Sequence, residues 1–511
     1  MSPTPALPAA TPGARLRRLL DTRPVGALLV ALLIGAYYWL YVGPPRLVGV
    51  HDPDRSYHLA LSKLIAQEGL LRTLPQVEDL GWGRYFPDKE FLFHMLTGAA
   101  EWLGGESLVI ALVPLLGIAI LLCLYAELSR RLPAWQAVLF TTAVPLLTSA
   151  YMYRTSLLRP HLLAILFFCG LLIALLRERP RLAALAAAGF ALSYHGFYIV
   201  GLVAVIAFLV RRQPGFRGQH GWAWCLAGLA AGIVLNPYFP SNLVMGLLTL
   251  RLATGAVQMP PGTQGLEMVS YSWSKLVLAY GFVPASLLAT VVAMRLRKPV
   301  PGPETSRVWF LVLVTAGFWA LGVKTPRAME YAVPACILMV GFAASVLAWR
   351  GWVPLLMLPL VGLHGLVNWI YYRENWVAPP GGFYPMYSEV LKQVPADASG
   401  KKVFNCEWDA GTYILRDRPD LRFVDLLEPA LLWDASREKF LARRELLTGT
   451  TPDPWKVLRE TFKADYVLCA DPRLIEQMQA NRRDFAALPG TEEDPIRLFA
   501  LRPEQGSERP R

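Results

Sequence analysis

Long apolar runs alternate with short polar segments over most of the chain. A helix needs about 20 mostly apolar residues to cross the hydrocarbon core of a bilayer. The runs that meet this length on their own include 24–43, 106–126, 275–294, 307–323 and 352–371. The run 182–210 is interrupted at Tyr194-His195-Gly196, so we expect two short helices that meet there. Adding the shorter runs predicts a polytopic α-helical membrane protein with about eleven spans.

The composition agrees with a membrane location. Hydrophobic residues make up 54% of the 511 residues and charged residues only 17%, whereas a soluble domain carries about 25% charged residues. The net charge of +12 could indicate a nucleic-acid partner. The basic residues, however, lie in short loops between apolar runs, which is how orientation signals are placed in membrane proteins. We therefore expect a lipid bilayer and no nucleic acid as partner.

The basic clusters also predict the orientation of the chain. If every cluster is cytoplasmic, the N-terminus is cytoplasmic, and an odd number of spans puts the C-terminal region outside. We expect a multi-pass protein of the cell inner (plasma) membrane whose C-terminal domain is periplasmic or extracellular. The clusters are Arg15, Arg17, Arg18 and Arg23; Arg130 and Arg131; Arg177, Arg179 and Arg181; Arg211, Arg212 and Arg217; Arg295, Arg297 and Lys298; and Arg350.

Two parts follow from this topology, a transmembrane domain at 1–374 with a first outer loop at 44–105, and a domain at 375–511. The second part is more charged and contains short apolar runs such as 466–468, which predicts a small extracytoplasmic α/β domain. Cys406 and Cys469 fall on its strand-like runs. In an oxidising compartment they would form a disulfide, while two separate buried thiols are the alternative.

The first outer loop opens with the segment His51-Asp52-Pro53-Asp54-Arg55-Ser56-Tyr57-His58. Apolar residues then follow at helical spacing, which predicts an amphipathic helix lying on the outer face of the membrane. Asp54 and His58 are four residues apart and share a face of this helix. Asp52 as N-cap and Pro53 as first helical residue would explain part of the segment without any function. Capping does not account for the two histidines.

These residues resemble motifs of the GT-C membrane glycosyltransferases. Asp52-Pro53 followed by Tyr57-His58 is similar to the D-P-x-x-x-Y and D-x-Y-Y-H patterns of oligosaccharyltransferase catalytic subunits. The stretch 86–94, which precedes a helix ending at Leu103-Gly104-Gly105, resembles the K-P-P-L … F-G stretch of protein O-mannosyltransferases and lipid A aminoarabinose transferases. Shorter similarities to bacterial members lie at 193–197, 235–238 and 327–331. The W-W-D-Y-G motif that reads the acceptor sequon is absent, which argues against N-glycosylation of proteins.

The resemblance implies a glycosyltransferase with a polyprenyl-phosphate or polyprenyl-diphosphate sugar donor. A first-loop aspartate, Asp52 or Asp54, would be the general base that activates an acceptor hydroxyl or amide on the outer face of the membrane. Cations would bind the donor phosphate, although interfacial arginines also contact lipid headgroups without any further function. The expected substrate-binding residues are His58, Lys89, Glu90, His94, Arg154, Arg159, His161, His195, Arg327 and Glu330.

A divalent metal is a further expectation, because several imidazoles and carboxylates fall on the outer side. Asp54 and His58, with Glu90 or His94, could hold Mg²⁺ or Mn²⁺. Oligosaccharyltransferases use a metal, whereas the O-mannosyl and aminoarabinose branches do not obviously need one. The main alternative function is a transporter or flippase of a lipid-linked or small polar substrate. Such proteins tend to contain internal repeats and interrupted helices, and the sequence shows neither.

Overall fold

The computed structural model describes residues 22–39, 52–216, 220–257, 260, 271–349, 358–360, 362–364, 366–367, 383–488 and 495–503. The helices of the first part are α1 (Arg23–Tyr37), α2 (Pro53–Glu68), α3 (Phe91–Leu128), α4 (Ala134–Leu146), α5 (Ser149–Arg154), α6 (His161–Leu176), α7 (Pro180–Ser193), α8 (Tyr198–Leu209), α9 (Gly221–Leu235), α10 (Ser241–Thr254), α11 (Trp273–Tyr280), α12 (Phe282–Arg297), α13 (Pro303–Lys324) and α14 (Met329–Val346). Proline at the first helical position starts α2, α7 and α13, where its missing N–H costs no hydrogen bond.

Several of these helices can cross a membrane. By length and composition α3, α13 and the segment Pro326–Val346 qualify, and α11 and α12 qualify together although they are bent by 70°. Shorter apolar helices are α1, α4 and α6 to α10. The helical membrane architecture is therefore confirmed, while the total of about eleven spans stays a prediction. Most of the predicted span 352–371 lies outside the described residues.

Two local predictions about helix ends are confirmed. The run 182–210 divides as expected, because α7 ends at Ser193 and α8 begins at Tyr198. The helix expected to end at Leu103-Gly104-Gly105 is interrupted there, and helical structure resumes beyond it within α3. Gly105 has a φ of 66°, a left-handed conformation that glycine adopts at little cost.

The C-terminal part is an α/β domain, as predicted. Its strands are β1 (Lys402–Asn405), β2 (Arg422–Phe423), β3 (Tyr466–Cys469), β4 (Phe485–Ala487) and β5 (Arg497–Leu501). They form one sheet in the order β2-β1-β3-β5-β4, in which β1 is parallel to β2 and β3, and β5 is antiparallel to β3 and β4. The helices are α15 (Phe383–Leu391), α16 (Ala410–Asp417), α17 (Pro429–Ala435), α18 (Arg437–Thr448), α19 (Pro454–Lys456) and α20 (Pro472–Ala480).

A disulfide joins the ends of two neighbouring parallel strands of this domain. Cys406 follows β1 and Cys469 ends β3, and their Cα atoms lie 4.9 Å apart. The structure thus decides between the two alternatives for these cysteines. Disulfides persist in oxidising compartments, which agrees with the extracytoplasmic location expected for the domain.

The described residues form two hydrophobic cores, one within the helical bundle and one shared by the first outer loop and the C-terminal domain. In the second core Leu61 of α2 and Phe86 pack with Phe404 and Leu468 of the sheet. The residues of α2 from Arg55 to Ser62 are all buried. The helix is therefore enclosed between protein elements, which corrects the prediction that it lies on the membrane face. Its amphipathic pattern buries apolar residues in protein rather than in lipid.

Candidate functional site

A cavity lies where the helical bundle meets the C-terminal domain, and it brings together residues from seven separate stretches of the chain. Most of the predicted site residues line it. The lining residues are Asp54, Tyr57, His58, Lys89, Glu90, Arg154, Arg159, Pro160, His161, Tyr194, His195, Met245, Leu248, Thr249, Leu252, Arg327, Leu427, Glu428, Ala430 and Leu431. The remaining predicted residues, Asp52, His94 and Glu330, each bind a lining residue instead.

Arg159 binds both first-loop aspartates. Its Nε and Nη2 donate to the two carboxylate oxygens of Asp52 at 3.1 and 2.5 Å, and its Nη1 lies 3.0 Å from Asp54 Oδ2. Asp52 is the N-terminal flanking residue of α2, but its side chain makes no capping hydrogen bond. Capping therefore does not explain Asp52. Its carboxylate orients Arg159 through two parallel hydrogen bonds, a geometry that guanidinium groups favour.

Asp54 differs from Asp52 because it lines the cavity. Burial raises the pKa of the Asp54 carboxyl, and the nearby Arg159 offsets this only in part. A carboxylate with a raised pKa is a stronger proton acceptor than an ordinary aspartate once it is ionised. Of the two first-loop aspartates, Asp54 is therefore the one that lines the cavity.

Arg154 is held in a second ion pair at the cavity. Its Nε donates to Oε1 of Glu330 at 2.5 Å, and Glu330 is buried in the first turn of α14. His161 Nε2 donates to the Arg154 carbonyl oxygen at 2.8 Å. Two predicted substrate-binding residues, Glu330 and His161, therefore support the position of a third. Lys324, a cation at the C-terminal end of α13, instead donates to the Thr254 carbonyl oxygen at 3.2 Å and is not among the lining residues.

A chain of hydrogen bonds connects histidines and carboxylates at the cavity. His94 Nδ1 lies 2.8 Å from Asp88 Oδ1, and His94 Nε2 lies 2.9 Å from His58 Nδ1. Glu90 Oε1 lies 3.1 Å from His195 Nδ1. His58, Glu90 and His94 each offer a donor atom within 4.8 Å of the others, as a metal site requires. This group contains His58 as predicted, but Asp54, the predicted second ligand, binds Arg159 instead.

The charge states of Glu90 and His195 follow from their surroundings. Burial would raise the pKa of Glu90, but Lys89 and the hydrogen bond from His195 outweigh burial, so the pKa is lowered. Burial, reinforced by Lys89, lowers the pKa of His195 to about 4. At neutral pH Glu90 is therefore ionised and His195 is neutral, with its Nδ1–H donated to the carboxylate.

An apolar wall was not predicted from the sequence. Met245, Leu248 and Leu252 lie on one face of α10, and Leu427, Ala430 and Leu431 come from the segment around the start of α17. The spacing of residues 245, 248 and 252 is the ordinary apolar repeat of a helix, so it does not distinguish a cavity wall from any other buried helix face. Only the fold identifies these leucines as cavity residues. Asp88 was also missed, although it stands next to two predicted residues.

One similarity noted in the sequence has a structural explanation. In the segment 235–238, Asn236 Oδ1 accepts a hydrogen bond from the Tyr238 N–H at 3.0 Å, and Tyr238 Oη donates to the Leu71 carbonyl oxygen at 2.6 Å. Arg72 Nη1 donates to the Pro237 carbonyl oxygen at 2.9 Å. This segment thus fastens the first outer loop to the turn between α9 and α10.

Comparison with known proteins identifies the fold. No family model and no curated protein matches the chain. Among solved structures, the oligosaccharyltransferase AglB from Archaeoglobus fulgidus, in complex with an inhibitory peptide and a dolichol-phosphate, is similar at a TM-score of 0.61 and 12% identity, over 89% of this chain and 69% of AglB.

A second similar protein is ArnT from Cupriavidus metallidurans. Its apo structure matches at a TM-score of 0.59 and 13% identity, over 94% of this chain and 98% of ArnT. Its complex with undecaprenyl phosphate matches at a TM-score of 0.58 and 14% identity, over 96% and 98%. Both proteins are GT-C membrane glycosyltransferases. The chain therefore has the GT-C fold that its first-loop motifs resemble.

Proposed function

We propose that the protein transfers a sugar from a polyprenyl-phosphate or polyprenyl-diphosphate donor to an acceptor hydroxyl or amide on the outer face of the inner membrane. One observation carries the proposal: the Asp54 carboxylate lines the same cavity as Lys89, Arg154, Arg159 and Arg327, four cations from three separate segments. A proton acceptor beside several cations suits the attack of a hydroxyl on a carbon that bears a phosphate leaving group. The similar structures are complexes with dolichol-phosphate and undecaprenyl phosphate.

The cations provide the phosphate site in this proposal. Arg154 and Arg159 are held by buried carboxylates, so their guanidinium groups are fixed before substrate enters. Preorganised cations stabilise developing negative charge without a cost of reorganisation during the reaction. The apolar face of α10, with Met245, Leu248 and Leu252, accommodates the isoprenoid next to the phosphate.

Asp54 is the proposed base, in preference to Asp52. Asp54 takes the proton of the acceptor hydroxyl as the hydroxyl oxygen bonds to the anomeric carbon. The bond between that carbon and the donor phosphate oxygen breaks, and polyprenyl phosphate leaves with the bonding electron pair. Both oxygens of Asp52 are occupied by Arg159, so Asp52 has a positioning role.

A transporter or flippase is the second candidate, and one observation favours it. Helices α11 and α12 are bent by 70° at a short break, and interrupted helices are common in transporters. A transporter would move an intact lipid-linked substrate and would need no proton acceptor in the cavity. The two functions therefore differ in whether a covalent product forms.

The test is transfer of radiolabelled sugar by the purified full chain from a panel of polyprenyl-phosphate sugars to lipid, glycan and peptide acceptors. Asp54→Asn and Asp52→Asn are compared with the wild type, and folding is checked by size-exclusion chromatography. We expect Asp54→Asn to lose transfer while it remains folded. Translocation of the intact donor across proteoliposomes without product formation would support the transporter instead.

A further inference from the structure

We infer that His58, Glu90 and His94 bind one divalent transition-metal ion of the Zn²⁺ or Mn²⁺ class. The three residues come from α2 and from the start of α3, and all are buried. Two imidazoles and one carboxylate suit zinc and manganese, whereas Mg²⁺ prefers an all-oxygen set. The sequence-based expectation was Mg²⁺ or Mn²⁺ held by Asp54 and His58 with Glu90 or His94. The proposed site keeps Mn²⁺ but not Mg²⁺, and it keeps His58, Glu90 and His94 but not Asp54.

Asp88 prepares His94 to bind an ion. An ionised carboxylate can only accept, so the contact of 2.8 Å requires His94 Nδ1 to carry the proton. The other nitrogen, His94 Nε2, then presents its lone pair towards His58. Asp88 is itself fixed, because its Oδ1 accepts from the Glu90 N–H at 2.9 Å. Histidine ligands of metals usually donate their second N–H to a carboxylate in this way.

Glu90 is supported in a similar manner. Its Oε1 lies 3.1 Å from His195 Nδ1, so one carboxylate oxygen is oriented by a neighbour that is not in the group. The carboxylates of Asp88 and Glu90 together supply two negative charges, which balances the charge of a divalent ion. Such support of the ligands by neighbouring residues is a feature of built metal sites.

An ion between the two imidazoles requires only a small change in their separation. His58 Nδ1 and His94 Nε2 lie 2.9 Å apart and share one proton. Two nitrogens at zinc–nitrogen bonds of about 2.0–2.1 Å in a tetrahedral site lie about 3.3 Å apart. Binding would therefore require a small separation of the rings and release of the shared proton.

The location assigns the ion a role in sugar transfer, and this role rests on the proposed function. His58 and Glu90 line the cavity beside Asp54 and the phosphate-binding cations. When bound, the ion supplies a Lewis acid at the cavity wall. Binding of the ion itself does not depend on any donor, so it can be tested without knowing the substrate.

The experiment is a metal titration of the purified, tag-free full chain in detergent. Metal content is measured by inductively coupled plasma mass spectrometry before and after EDTA treatment, and Zn²⁺ and Mn²⁺ are then added back at equilibrium. Co²⁺ is added in parallel, because its visible absorption reports the coordination. The variants are His94→Asn, Glu90→Gln and Asp88→Asn. His161→Asn is the matched control, since His161 is a buried cavity histidine outside the group.

We expect about one equivalent of metal per wild-type chain after reconstitution. His94→Asn and Glu90→Gln should lose the bound ion, and Asp88→Asn should weaken binding about 10- to 100-fold, while His161→Asn should match the wild type. The assignment would be overturned if His94→Asn bound as much metal as the wild type, or if the wild type bound no metal. Metal binding without sugar transfer would refute the proposed function and leave this site standing.

Discussion

The helical bundle contains a buried cluster of arginines and carboxylates at each of its two ends. At the cavity end Arg159 binds Asp52 and Asp54, and Arg154 binds Glu330. At the other end Glu127, near the end of α3, binds Arg131 and Arg177, both at 2.6 Å. Helix α6 connects the two ends, since it starts at His161 and stops just before Arg177. Its 16 residues correspond to about 24 Å.

The two clusters can be compared by the partners of their carboxylate oxygens. Each Glu127 oxygen binds one arginine, and neighbouring charges continue the network, with Arg307 binding Glu178 and Glu304. At the cavity end the Asp54 carboxylate lines open space. Within the described residues Glu330 Oε2 has no hydrogen-bond partner. Arg131 Nε and Arg307 Nε of the far cluster also have no hydrogen-bond partner within the described residues. The two clusters therefore differ in location, since Asp54, Arg154 and Arg159 line the cavity whereas Glu127, Arg131 and Arg177 are not among its lining residues.

The substitution Asp54→Asn tests the role of the cavity cluster, and it should have the largest effect of the changes considered. The substitution keeps the shape of the side chain but removes the proton acceptor, so we expect the transfer rate to fall about 10²- to 10⁴-fold. The measurement is the initial rate of sugar transfer by folded protein. A rate within twofold of the wild type would exclude Asp54 as the base.

Glu127→Gln is the corresponding change at the far end. It leaves two arginines beside an uncharged group, and breaking a buried ion pair costs about 3–5 kcal/mol of stability. We expect a lower thermal unfolding midpoint in detergent, while the folded fraction retains its transfer rate. Loss of transfer without loss of stability would show that the far cluster also serves the reaction.

Arg159→Lys probes the bidentate contact. Lysine keeps the charge but cannot donate two parallel hydrogen bonds to Asp52. The loss of a charge-assisted hydrogen bond is worth about 1.5–3 kcal/mol, which corresponds to a loss of about 10- to 100-fold in kcat/KM. Arg177→Lys at the far end is the control and should leave kcat/KM unchanged. Equal losses in the two variants would contradict the distinction between the clusters.

The smallest expected effect is a change in the stability of the C-terminal domain with pH. Burial raises the pKa of Glu407 to about 7, with the nearby Asp409 contributing, while the Ala470 N–H and Arg443 act in the opposite direction. Tyr387 Oη also faces the carboxyl, at 3.3 Å. The folded state thus binds the proton more tightly than the unfolded state, so stability falls as pH rises from about 4.5 to about 7.

Glu407→Gln should remove this pH dependence. We expect the variant to be about 1–2 kcal/mol more stable than the wild type at pH 8 and nearly equal at pH 4. Thermal unfolding midpoints across that range, followed by intrinsic fluorescence, provide the measurement. Parallel curves for the two proteins would show that Glu407 does not titrate between the folded and unfolded states.

The site could be anticipated only in part because its contacts span large distances along the chain. Asp52 followed by Pro53 is the ordinary pattern of a helix start, and the sequence leaves capping as a sufficient explanation. The partner that overrides capping, Arg159, lies 107 residues away. Asp88 was missed although its partner His94 is only six residues away, because the pair gains its significance from the contact of His94 with His58, which lies 36 residues away. The residues around Leu427 enter the cavity only because the second core brings the C-terminal domain onto α2.

Features governed by neighbours along the chain were determined by the sequence itself. Apolar runs must be buried, so their length predicts membrane helices. The interruption at 194–196 predicts a break between two helices. Short apolar runs among charged residues predict the α/β domain. The chemical types at the site were also recognisable, because buried charges are costly and require a reason. Only the tertiary structure decided which aspartate faces the cavity, which residues form the histidine and glutamate group, and that α2 is covered by protein. Those outcomes depend on contacts between distant segments, which no local pattern encodes.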